Sequence, residues 1–123
     1  MADSHLASFD REKYISIESF KKNGEGVKTP VWFVLRDGVF YVYTEADSWK
    51  VKRIRNNPRV RVAVCSVRGT VKGPWLDATA SIIEGDERRM ADTLLDRKYF
   101  LKRIANLVPG RRARRAMIKI SPA

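Results

Sequence analysis

Apolar and polar residues alternate along most of this chain with the period of a β-strand, and two stretches switch to the period of a helix. Residues 13–21 alternate loosely through Tyr14, Ile15, Ile17 and Phe20 and stop at the turn formers Asn23-Gly24-Glu25-Gly26. Residues 28–35 read as one strand whose continuous apolar run predicts burial on both faces. Asp37-Gly38 is a two-residue hairpin turn, because both positions tolerate positive φ. Residues 39–44, rich in β-branched and aromatic side chains, form the return strand. Asp47 or Ser48 then caps a short helix with its interior at residues 50–55, which ends near Asn57-Pro58 because proline restricts the residue before it.

Residues 59–66 alternate cleanly, with Val60, Val62 and Val64 on one face and Arg59, Arg61 and Ala63 on the other. Arg68-Gly69 turns the chain into a long β segment, residues 70–84, in which Gly73-Pro74 marks a bulge or an edge. Asp86 opens a second helix with Met90, Leu94 and Leu101 at helical spacing. Pro109-Gly110 breaks the chain, and Ala116, Ile118 and Ile120 give a closing strand. The predicted order is β-β-β-α-β-β-α-β, mainly β with antiparallel hairpins, which points to a closed or open β-barrel with flanking helices.

Length narrows this picture. With 123 residues, 44% of them hydrophobic, the chain reads as a single domain, 1–123, in which residues 1–12 are expected to form a flexible tail. Such a chain is too short to enclose a large cofactor and keep much surface, which favours an open groove or a site between two subunits. Its longest apolar run, residues 31–35, is far below a membrane span, and its N-terminus lacks the apolar core of a secretion signal. The one cysteine, Cys65, excludes an internal disulfide and fits a reducing cytoplasm.

Charge and candidate chemistry come next. The net charge of +11 concentrates anionic partners around the protein, whether nucleic acid, anionic membrane or a phosphorylated cofactor. The one histidine, His5, and the lack of any His or Cys cluster argue against a metal site and against Ser-His-Asp or Cys-His catalysis. The segment from Thr44 to Arg53 is the informative one: a strand ends in a hydroxyl residue and a short loop feeds a helix N-terminus flanked by Ser48, Lys50 and Arg53. Backbone N–H groups and the helix dipole favour an anion there, and Lys50 and Arg53, three residues apart, can converge on one phosphate. An ordinary capped helix with solvated lysines has the same pattern, and spacing alone does not separate the two.

The ordered set Thr29-Pro30-Val31-Trp32-Phe33, Phe40-Tyr41-Val42-Tyr43-Thr44 and the run from Ser48-Trp49-Lys50 to Asn57-Pro58-Arg59-Val60 resembles the split β-barrel family of pyridoxamine 5′-phosphate oxidase. Arg68-Gly69, Gly73-Pro74-Trp75 and Arg97-Lys98-Tyr99 extend the resemblance to about residues 14–120, and its nearest branch uses the deazaflavin coenzyme F-420. The resemblance implies an FMN-binding-protein-like split barrel and a homodimer whose two subunits build the site. It implies that Pro30, Val31 and Trp32 lie along the cofactor ring, that Thr44, Ser48, Lys50 and Arg53 bind its phosphate, and that Val62, Ala63 and Val64 line the ring or ribityl chain. Trp75 would reach across between subunits. No catalytic acid or base is implied, because the cofactor carries the hydride.

Plainer roles stand beside these. Trp32 and Trp75 suit a core or interface, Cys65 a small buried hydrophobe, and Tyr99 packing rather than proton donation. Arg111, Arg112, Arg114 and Arg115 suit a solvated run, or a field that attracts the polyglutamate tail of the deazaflavin. Three function classes follow in order: an oxidoreductase using coenzyme F-420 or FMN on a small organic substrate; a carrier of the same cofactor without turnover; and, a distant third, a basic nucleic-acid-binding module. A membrane partner is not expected.

Overall fold

A computed structural model describes residues 9, 12–46, 48–99 and 115–123. Most of the expected tail, Leu101, Pro109-Gly110 and three of the four arginines of the basic run lie outside them. Strands β1 (Ile15–Phe20), β2 (Gly26–Val31), β3 (Phe33–Arg36) and β4 (Val39–Glu45) precede helix α1 (Trp49–Asn56). Then come β5 (Arg59–Val64), β6 (Leu76–Ile83), helix α2 (Gly85–Lys98) and β7 (Arg115–Pro122).

The strands form one antiparallel sheet in the order β2-β1-β5-β6-β7-β4-β3. Its edge strands, β2 and β3, are consecutive in the chain and separated by Trp32 alone, so the sheet curls until its edges meet. This is a split β-barrel with flanking helices.

The expected single strand over residues 28–35 is therefore two. Ser16 pairs with Pro30 in β2, whereas Phe33 pairs with Val42 in β4, so the chain changes partners at Trp32. Proline is tolerated at position 30 because β2 is an edge. The edge position also corrects the expected two-sided burial, since Lys28 and Pro30 are exposed. The expected β segment over residues 70–84 shortens to β6, preceded only by an isolated Cys65–Val71 bridge, because Gly73-Pro74 cannot continue a ladder. Asp37-Gly38 does turn the β3–β4 hairpin, at φ of 53° and 77°.

Two apolar layers result. Inside the curl, Ile15, Ile17, Phe40, Val42, Val60, Val62, Ile118 and Ile120 pack together, and Ile54 of α1 enters the same cluster. On the outer face Ala91 and Leu95 of α2 cover Val34, Tyr41 and Met117. Just past α2, the Tyr99 hydroxyl accepts from the Phe33 N–H at 3.1 Å and lies 2.8 Å from the Phe33 and Lys13 carbonyl oxygens, one of which takes its proton. Its ring stacks on Trp32 with centroids 4.6 Å apart and planes 6° apart, so the side chain clamps the point where the sheet edges meet.

Candidate functional site

Period-2 alternation along β4 sends Phe40, Val42 and Thr44 inward and Tyr41 and Tyr43 outward. Thr44 lies one residue before the end of β4, near where the chain turns into α1. Ser48 takes extended backbone, φ −68° and ψ 154°, and its Oγ accepts from the Val51 N–H at 3.3 Å, the hydrogen bond of an N-cap. Asp47, the other candidate cap, is outside the described residues. Asn57 closes the helix with its N–H on the Arg53 carbonyl, and Pro58 follows.

Ile54 enters the cluster inside the barrel and Val51 is fully buried beside it, and this carries Lys50 with them to 8% exposure. Its ammonium reaches Thr44 Oγ1 at 3.4 Å, and Thr44 Oγ1 lies 3.2 Å from Ser48 Oγ. Two hydroxyls and one buried cation thus share a small space. Burial, and then the charge of Arg53, lower the Lys50 ammonium from its usual 10.5 to about 8. No acidic side chain occupies the first turn of α1. No described carboxylate pairs with Lys50, and a phosphate would supply a countercharge and hydrogen-bond acceptors at once.

Arg53 separates from this cluster. Its Nε donates to Ser19 Oγ of β1 at 2.8 Å, so the two cations expected to converge hold different hydroxyls, although Arg53 stays near enough for its charge to act on Lys50. Arg53 opens instead into a groove of about 850 Å³ between α1 and the end of the β1–β2 hairpin.

The other expected contact residues scatter. Val62 and Ala63 have no exposed surface, so a ligand beside β5 would meet their backbone or the half-buried Val64. Pro30 is exposed, Val31 is buried and Trp32 is half-buried against Tyr99. Trp75 lies over the outer face of its own sheet, 5.3 Å from Lys28 Nζ and 5.1 Å from the Arg61 guanidinium. Arg61 in turn grips Glu18 at 2.7 Å. Arg115, the one described member of the basic run, sits over Tyr43 on the outer face, the side away from Thr44.

Two residues were missed in the sequence. Ser19 shows no sequence signal, because its partner Arg53 is 34 positions away. Trp49, at 72% exposure and with Lys52 4.5 Å from its ring centre, is a large aromatic left in solvent beside the cradle.

No helix among the described residues is long and apolar enough to cross a membrane. A family model for pyridoxamine 5′-phosphate oxidase matches residues 1–123. No functionally curated protein matches the sequence significantly. Among solved structures, the heme storage protein HutZ of Vibrio cholerae superposes with a TM-score of 0.75 at 14% identity, over 99% of this chain and 90% of that one. A candidate pyridoxamine 5′-phosphate oxidase from Listeria innocua gives 0.71 at 18% identity, over 98% and 92%. An F420 reductase gives 0.65 at 17% identity, over 95% and 91%. At these identities the structural likeness establishes the shared barrel, and the chemistry has to be argued from the cradle.

Proposed function

This chain belongs to the pyridoxamine 5′-phosphate oxidase family, and we propose that it is an oxidoreductase that binds coenzyme F-420, or FMN in the same cradle, and passes a hydride to a small organic substrate. The observation that carries this reading is Lys50: a nearly buried ammonium between two hydroxyls, with its charge disfavoured until an anion arrives. A structural lysine would keep its ammonium in water and bury only its stem.

The donor set fits a phosphate. Lys50 supplies the charge, Thr44 and Ser48 supply hydroxyls 3.2 Å apart, and Arg53 guards the side facing β1. Thr44 also orients the Lys50 ammonium, so the charge is held in place before the ligand binds. When bound, the ring of such a cofactor supplies the hydride, which is why no catalytic side-chain acid or base is required of the protein. The backbone around Pro30, Val31 and Trp32, where the sheet edges meet, is proposed to lie along that ring, with Val64 on its other flank. Trp75 and a second subunit complete the site in this reading, so a homodimer is proposed, and with it residence in the cytoplasm. A cofactor carrier without turnover needs the same cradle, and turnover tells the two apart.

Titration of the purified protein with coenzyme F-420 and with FMN, followed by fluorescence, tests the proposal. Saturable binding of at least one is expected, weakened about 10- to 100-fold by Lys50→Met. Unchanged affinity in that variant, or binding of neither cofactor, overturns it.

A further inference from the structure

The groove between α1 and the β1–β2 hairpin is larger than a phosphate needs. Its floor is apolar, from Phe20, Val27 and Trp49, and its rim carries the cations Lys21, Lys22, Lys52 and Arg53, of which Lys21 pairs with Glu25 at 3.8 Å. Past Phe20 and Asn57 a second hollow of about 470 Å³ continues it, lined by Arg59, Arg61 and Asp77, with Arg61 already paired to Glu18. Three features restrict what fits. The dimer proposed above is expected to use a different face, because a second copy of this +11 chain seated here would bring more positive charge to a cationic rim. An apolar ligand would leave Lys22, Lys52 and Arg53 facing it with no carboxylate lining the groove. A simple anion would leave the indole of Trp49 in water. An anion joined to a flat ring satisfies both halves, and Lys52, 4.5 Å from the indole centre, brings an anion beside that ring.

We propose that this groove binds a nucleoside phosphate, the base against Trp49 and the phosphate oxygens among Lys21, Lys22, Lys52 and Arg53. The site is separate from the Thr44–Ser48–Lys50 cradle but borders it through Arg53, so its occupant is either a free nucleotide or the nucleotide half of a dinucleotide flavin whose other half fills the cradle. The second alternative rests on the function proposed above, whereas the first stands without it.

Calorimetric titration with ADP, FMN, FAD and a ten-nucleotide single strand tests this on the whole chain. ADP is expected to bind in low salt, to weaken as salt rises, and to lose at least tenfold in Trp49→Ala and in the combined variant Lys21→Gln/Lys22→Gln/Lys52→Gln. FMN affinity in both variants should stay unchanged. FAD binding at least tenfold tighter than FMN, with the gain lost in Trp49→Ala, identifies the dinucleotide as the source. Equal FAD and FMN affinities with ADP binding alongside FMN identify a free nucleotide. ADP that does not bind, that FMN displaces, or that binds both variants as well as the native chain overturns the proposal, as does binding of the single strand alone. ADP binding with neither FMN nor coenzyme F-420 retained would overturn the cofactor reading and leave the groove standing.

Discussion

The two helices of this barrel treat charge and buried polar groups in opposite ways. Helix α2 carries Asp86 and Glu87 in its first turn and Arg97 and Lys98 in its last, matched to its dipole. Beyond it the buried Tyr99 hydroxyl is saturated by one donor and two neighbouring carbonyls. Helix α1 has no acid in its first turn, and among the described residues its buried Lys50 ammonium has a single long hydrogen bond, to Thr44 at 3.4 Å. The saturated hydroxyl is architecture, whereas the cation is what the proposed anion site rests on. Burial pushes both groups toward neutrality, Tyr99 up to about 12 and Lys50 down to about 8, but only the lysine is moved close to working pH.

The sharpest way to break that contrast is Lys50→Met. Moving the ammonium from 10.5 to about 8 corresponds to an upper bound of about 3 kcal/mol spent on holding its charge at neutral pH. The variant should therefore gain about 1–3 kcal/mol of ligand-free stability in urea melts while losing phosphate-anchored binding. A variant less stable than the native chain would show Lys50 to be architectural.

The same group gives opposite pH trends for stability and binding. Between pH 8 and 10.5 the unfolded chain holds a proton on Lys50 that the folded chain has released, so ligand-free stability should rise with pH across that window. Affinity for a phosphate needs the ammonium and should fall, by about tenfold per pH unit above 8, in titrations from pH 7 to 9.5. Parallel trends would contradict the proposed anion site.

On the other side, Tyr99→Phe keeps the stack on Trp32 and removes the hydroxyl. The stranded Phe33 N–H should cost about 1–3 kcal/mol in the same melts. Glu87 of α2, which joins Tyr41 at 2.8 Å to Lys119 at 2.9 Å, is more exposed and matters less. Lys119 and Tyr41 hold its carboxyl below its usual 4.5, so its contribution is present above that pH and is lost as pH falls through the lowered value. Glu87→Gln should cost less than about 1 kcal/mol at pH 7 and nothing in strong acid; a larger loss would make α2 more dependent on charge than its packing suggests.

What could be read in the sequence was local. The Asp37-Gly38 turn, the Ser48 cap and the stop at Asn57-Pro58 depend on neighbours, and each was expected from its own few residues. The cradle was half legible: Thr44, Ser48 and Lys50 do meet, because strand alternation and helix phase fix them, but Arg53 was pulled away by Ser19 on a strand far off in sequence. The break at Trp32 was invisible, since an apolar run looks the same whether it serves one partner strand or two. Ala63 was expected on the face of β5 opposite Val60, Val62 and Val64, and its full burial shows that this face is covered there. The Tyr99 clamp, 66 residues from Phe33, was open to no local rule.

The strand order bears on how the chain is made. β7 lies between β6 and β4, so the ribbons β2-β1-β5-β6 and β4-β3 are hydrogen-bonded to each other only through the strand that is synthesised last of the seven. A nascent chain released before Arg115 would carry two ribbons with unpaired inner edges at β6 and β4. Ladders that span this much sequence close slowly. Until β7 leaves the ribosome the molecule is therefore at its most exposed to mispairing, and the final residues of the barrel act as its latch.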